Sequence, residues 1–114
     1  MVAGRMSCVF CAIIAGTEPA TVVRQWVDAI AIVPLNPVTD GHLLVIPTAH
    51  IRDASESPHI AGQAMARAGE LARPPFNIIT SAGAEATQTV FHLHLHIIPR
   101  LAGDGLALPW RPGG

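Results

Sequence analysis

The sequence predicts an α+β fold with a mainly antiparallel sheet. Three observations lead there. Five short apolar or β-branched runs lie close together in the chain, and only two segments carry helix signals. The last apolar run, residues 90–99, alternates residue by residue, with histidines at every second position of its middle.

The elements follow in chain order. Ser7 can cap a short helix over Cys8–Ala15, with Gly16 as its stop. Val22–Trp26 and Ala29–Val33 form a strand pair around a tight turn at Val27 and Asp28. Leu35–Gly41 has loop chemistry, and His42–Ile46 is a strand ended by Pro47. Ser57 and Pro58 open a longer central helix that runs to Ala72 before Pro74 and Pro75. Phe76–Thr80 is the next strand, Ser81–Thr87 a small-residue loop, and Val90–Pro99 the last strand. Residues 1–6 read as a flexible N-terminal tail and 7–114 as one domain, since 114 residues leave little room for a second core.

Composition narrows the chemistry. Half the residues are hydrophobic and 13% are charged, which excludes a disordered chain. No apolar run reaches the roughly 18 residues of a membrane span. The net charge of −1 argues against a nucleic-acid polymer as partner. The chain has seven arginines, no lysine, no tyrosine and six histidines. A lysine Schiff base, a P-loop lysine and a tyrosine acid are therefore excluded, and histidine is the first candidate for catalysis. Cys8 and Cys11 form a C-x-x-C pair, too few thiols for a secreted disulfide framework. The pair suggests a metal or redox role in the reducing cytoplasm, and the N-terminal segment carries no convincing signal-peptide cleavage site.

On a strand, His92, His94 and His96 share one face while Leu93, Leu95 and Ile97 share the other. The histidine face admits three readings. It can be solvated; it can bind metal; or one neutral imidazole can attack phosphorus while its second nitrogen is held by an acceptor. Neighbouring histidines would lie roughly 6.6 Å apart and the outer two about 13 Å. All three could thus share one metal only with distortion, and division of labour is the better expectation.

The run His92-Leu93-His94-Leu95-His96-Ile97-Ile98 resembles the motif of the histidine-triad (HIT) family, His-x-His-x-His-x-x with x apolar. Cys8 to Gly16, Gly41 to Pro47 with Ala49-His50-Ile51, and Gln88 to His92 resemble further segments of its Hint-like branch, which carries an N-terminal C-x-x-C zinc motif. The resemblance implies a HIT-like fold and attack of His94 on the α-phosphorus of a nucleotide derivative, giving a nucleotidyl-histidine that water hydrolyses. His96 and His42 would attend the phosphate. Thr89, Gln88 and Ser81 would lie along the phosphate or leaving group. Phe10, Ile13 and Leu35 would line an apolar nucleoside pocket. A structural zinc on Cys8, Cys11, His50 and His92 is also implied, with no metal needed for the chemical step.

Substrates implied are nucleoside phosphoramidates, nucleotidyl esters or dinucleoside polyphosphates, with a purine nucleotide or its conjugate as ligand and a homodimer as the assembly. Trp110 would reach the partner's site or pack on its own subunit. Two positions depart from the family pattern: Ser81 replaces an asparagine, and Pro34 replaces a ribose-binding aspartate, with Asn36 as possible compensation. These departures support the alternative of a catalytically weak, zinc-stabilised nucleotide-binding protein. His59, Arg52 and Arg100 read as surface residues.

Overall fold

The computed structural model describes residues 7–109, so the expected tail and Trp110 lie outside the described residues. The elements are α1 (Val9–Ala15), β1 (Thr21–Gln25), β2 (Ala29–Val33), β3 (Leu43–Pro47), α2 (Pro58–Leu71), β4 (Phe76–Ile79) and β5 (Leu95–Pro99). The strands form one antiparallel sheet in the order β1-β2-β3-β5-β4, giving the α+β class read from the sequence.

Alternation along the strands divides the core in two. Ala29, Ala31, Val45, Leu93, Leu95 and Ile97 face α2, where Ala64 and Ala68 let helix and sheet approach closely. Ile30, Ile32, Leu44 and Ile46 face the other way and pack with Phe10 of α1. Ser57 caps α2 by accepting the Ile60 N–H at 3.2 Å, with Pro58 at the first position.

Beyond one-residue shifts at element ends, such as β3 running Leu43–Pro47 and so including the proline expected to end it, three local expectations are corrected. The N-cap of α1 is Cys8 rather than Ser7, its Sγ accepting the Cys11 N–H at 3.3 Å. The loop after β4 contains a single 3-10 turn, Ala84–Ala86. The last strand begins at Leu95, not Val90: the Leu93 N–H is spent on the Ile51 carbonyl at 2.7 Å, and β5 first pairs with β3 at Leu95 opposite Val45. His92 and His94 therefore precede the regular ladder. The sheet positions Leu95 to Pro99, while loop contacts position the two histidines before it.

Gly41 ends the Leu35–Gly41 loop with a φ of +84°, and a Cβ there would stand 3.2 Å from Pro99 Cγ. Gly62, inside α2, has nothing within 4 Å of such a Cβ. Opposite outcomes follow for the same substitution. Gly41→Ala should destabilise the protein by about 1–2 kcal/mol through left-handed backbone strain, whereas Gly62→Ala should stabilise it by roughly 0.5–1 kcal/mol. Urea denaturation of the two variants checks both signs.

Candidate functional site

The N-terminal helix and the segment before β5 converge on two adjacent centres. In the first, Cys8, Cys11, His50 and His92 place one donor atom each within 4.8 Å of one another. His92 is fully buried at 0% exposure, and its Nε2 lies 2.8 Å from the Pro47 carbonyl oxygen. That oxygen only accepts, so Nε2 carries the hydrogen and Nδ1 presents its lone pair to the cluster. His92 Nδ1 is 3.1 Å from His50 Nδ1 and 3.5 Å from both sulfurs, and Cys11 Sγ is 3.1 Å from His50 Nδ1. A tetrahedral zinc with bonds of about 2.0 Å to nitrogen and 2.3 Å to sulfur separates its ligands by roughly 3.3–3.8 Å. The donor set fits such an ion, and four of its separations, at 3.1–3.5 Å, lie close to that spacing.

The second centre holds His42, His94 and His96. His94 Nδ1 stands 2.9 Å from the His92 carbonyl oxygen, which fixes the hydrogen on Nδ1 and leaves the lone pair on Nε2. Desolvation by burial lowers the His94 pKa against the opposing pull of this hydrogen bond, favouring the neutral ring. The Phe10 ring meets the His94 ring edge-on with centroids 5.0 Å apart.

A second chain of hydrogen bonds sets the other two rings. The Val38 N–H donates to His42 Nδ1 at 3.1 Å, so neutral His42 carries its hydrogen on Nε2. That Nε2–H donates to His96 Nδ1 at 3.0 Å, and His96 keeps Nε2–H as a donor. Burial lowers the pKa of His42 and, with the neighbouring His94 and His42, that of His96 to about 4. One ring thus offers a nucleophilic lone pair and its neighbour an N–H donor.

Both His94 and His96 open onto a cavity of about 350 Å³ that also contacts His42, Ser81, Thr87 and Gln88. Ile79, Ile98, Leu106 and Leu108 supply apolar wall. Arg100 and Asn77 lie at this wall too, where the Arg100 guanidinium binds Asp104 at 2.8 and 3.0 Å, Asn77 Oδ1 at 2.7 Å and the Leu106 carbonyl at 2.9 Å. Arg100 is therefore no surface residue; it straps the segment after β5 across the sheet.

The other expected residues divide. Gln88 is buried and its amide is committed: Oε1 accepts from Gly83 N–H, and Nε2 donates to the Arg52 and Val90 carbonyls. It shapes the wall while holding the loop. Thr89 and Asn36 are exposed and Leu35 is 97% exposed, and none of them lines the cavity. Phe10 is 6% exposed and packs in the core with Ile13 at its margin. Pro34 is half-buried beside β2. Arg52 is exposed and pairs with Asp53, and His59 is exposed beside Gln63. Val38, Thr87, Asn77 and the 106–108 wall carry no motif in the sequence, and neither does the pairing of Arg100 with Asp104.

Comparison with known proteins gives the family. The HIT domain family model matches residues 15–103. An uncharacterized HIT-like protein of Mycobacterium tuberculosis is 40% identical over 112 residues, covering 90% of this chain and 78% of that protein. The adenylylsulfatase HINT3 of Arabidopsis thaliana is 35% identical over 108 residues, covering 87% of this chain and 55% of the plant protein. The crystal structure of a Zn-bound histidine triad family protein from Mycobacterium smegmatis superposes with a TM-score of 0.80 at 39% identity, covering 96% of this chain and 86% of that one. On sequence and on fold alike, this chain belongs to the HIT family.

Proposed function

We propose that this protein is a HIT-type nucleotide hydrolase or transferase that works through a covalent nucleotidyl-His94 intermediate. The observation that carries this reading is the fixed tautomer of His94, whose Nδ1–H is held by the His92 carbonyl at 2.9 Å. Nε2 attacks the α-phosphorus, and the bond to the leaving group breaks with its electron pair. The departing nitrogen or oxygen takes a proton from solvent, and the water that attacks in the second step gives one back. The His96 N–H donates to a phosphate oxygen as charge grows there, with His42 keeping that tautomer in place. Water then attacks the same phosphorus, releasing a nucleoside monophosphate and restoring His94. Family membership and the adenylylsulfatase relative support nucleotide hydrolysis in general. The substrates proposed are nucleoside phosphoramidates, nucleotidyl esters or dinucleoside polyphosphates.

Pro34 at the expected ribose-binding position lacks a side-chain acceptor, and Ser81 lines the cavity with a hydroxyl where an amide was expected. These two residues favour weakened ribose recognition with the phosphorus chemistry retained. A structural zinc on Cys8, Cys11, His50 and His92 would tie α1 to the sheet, since all four positions of a tetrahedral ion would be filled by protein.

Incubation with an adenosine phosphoramidate should give a nucleotidyl adduct on His94 detectable by mass spectrometry. His94→Ala should lose turnover by roughly a thousandfold or more; turnover surviving in that variant overturns the covalent mechanism. Nucleotide binding with no turnover across these substrates would favour the binding-protein reading. Elemental analysis should find about one zinc per chain and little in Cys11→Ser. A ratio near zero in protein never exposed to chelator refutes the four-ligand site.

The pH dependence has a definite sign. His96 takes up a proton near pH 4 in the fold but near the ordinary histidine value of 6.5 when unfolded. Between these values the unfolded chain binds more protons, so stability falls as pH drops from about 6.5 towards 4. The lowered pKa values of His42 and His94 act in the same direction. Thermal melts between pH 7 and pH 4.5 should show this loss, and His96→Gln should show a shallower one. An equal slope in both proteins would remove His96 as a contributor.

A further inference from the structure

We infer that Phe10 is a positioning residue through which the Cys8–Cys11–His50–His92 cluster sets the orientation of the His94 ring. The inference rests on the reading of His94 as nucleophile. An imidazole held at one nitrogen can still swing about its terminal torsion, which is broad for histidine. The hydrogen bond from His94 Nδ1–H to the His92 carbonyl therefore needs a second constraint. Phe10 supplies it, edge-on to the His94 ring at 5.0 Å and edge-on to the His92 ring at 6.0 Å. At 6% exposure Phe10 offers almost no surface to a ligand, so its contact with His94 is its nearest route to the chemistry.

The position of Phe10 is in turn dictated by the cluster. It lies between Cys8 and Cys11 on a helix of only seven residues. Isolated helices shorter than about 12 residues are marginal in water, so α1 depends on tertiary anchors. Cys8 caps α1 and approaches His92 at 3.5 Å, and Cys11 approaches His50 at 3.1 Å. His92 closes the circuit. Its ring belongs to the cluster, and its carbonyl holds the nucleophile. A metal on these four groups would thereby fix both constraints on His94 at once.

The test uses the full chain as purified with zinc, labelled with 15N-histidine. Nitrogen shifts of His94 distinguish the Nδ1–H tautomer from the Nε2–H tautomer, whether or not a substrate is turned over. Wild type should show the Nδ1–H form alone. Phe10→Leu, and Phe10→Met as a second variant should the first misfold, should show a mixture of tautomers. They should also lose about ten- to a hundredfold in kcat with little change in KM.

Ile46→Val, in the same core cluster, should lower Tm while leaving tautomer and kcat unchanged. A rise in KM at constant kcat would instead make Phe10 a nucleoside contact, and unchanged tautomer and kcat would make it core packing alone; either overturns the inference. Chelation of wild type should reproduce the Phe10→Leu spectrum, and a pinned tautomer in metal-free protein breaks the link to the cluster. Loss of the proposed function is separately visible. Wild type would then show a pinned His94 tautomer with no adduct and no turnover.

Discussion

The hydrogen bond from His94 Nδ1–H to the His92 carbonyl is the contact on which the rest of the site depends. It decides which nitrogen of His94 keeps its lone pair, and it involves backbone rather than a mobile side chain. A carbonyl is only as fixed as the segment that carries it. Here that segment is pinned on three sides: Leu93 N–H to Ile51, His92 Nε2–H to Pro47, and the Gln88 amide across Gly83, Arg52 and Val90. The late start of the last strand in the chain is the structural consequence of this arrangement. Leu93 N–H is drawn to Ile51 and the His92 ring to the cluster, and regular pairing with β3 starts only at Leu95.

What could be read from the sequence was what periodicity and nearby spacing encode. The alternation of Leu93, Leu95 and Ile97 does place those side chains in one core cluster, even though the first lies outside the ladder. The boundaries of β2 were readable because its residues sit in a regular strand between turns. Strict alternation could not show that His92 is fully buried and directed into a different centre from His94, because this follows from Cys8, Cys11 and His50 arriving from other elements. Likewise His42 and His96 are separated by 54 residues, and their 3.0 Å contact exists only because β3 and β5 are neighbours in the sheet. Arg100 was read as a surface cation because the sequence cannot reveal that residues 104–106 fold back to saturate its guanidinium.

The electrostatics of the cavity follow from the same economy. The chain has no lysine, and among the described residues the cation that borders the cavity is Arg100; its charge is matched by Asp104, whose carboxylate pKa is held far down by that pairing and by the Leu101 and Leu106 N–H groups. The three histidines are biased towards neutrality by burial. In the proposed reaction, anion recognition would therefore fall to N–H dipoles rather than to full charges. Dipoles of this kind act best where water is excluded and the donors are already aimed, which is what the two tautomer chains accomplish.

A small chain has few residues to spend on a site that must also hold its shape. The core face under α1 consists of Phe10 and four aliphatic residues, and α1 itself is too short to persist without tertiary anchors. Placing one cysteine at the cap of that helix, another within it and two histidines opposite concentrates the anchoring in one cluster instead of a larger apolar core. The same choice puts the anchor next to the chemistry, because His92 is shared by both. A larger protein could separate fold stabilisation from nucleophile orientation and let each vary alone. On the reading of Phe10 inferred above, a change at Cys8, Cys11, His50 or His92 would reach the His94 ring by way of Phe10 and one carbonyl, so stability and ring orientation would move together.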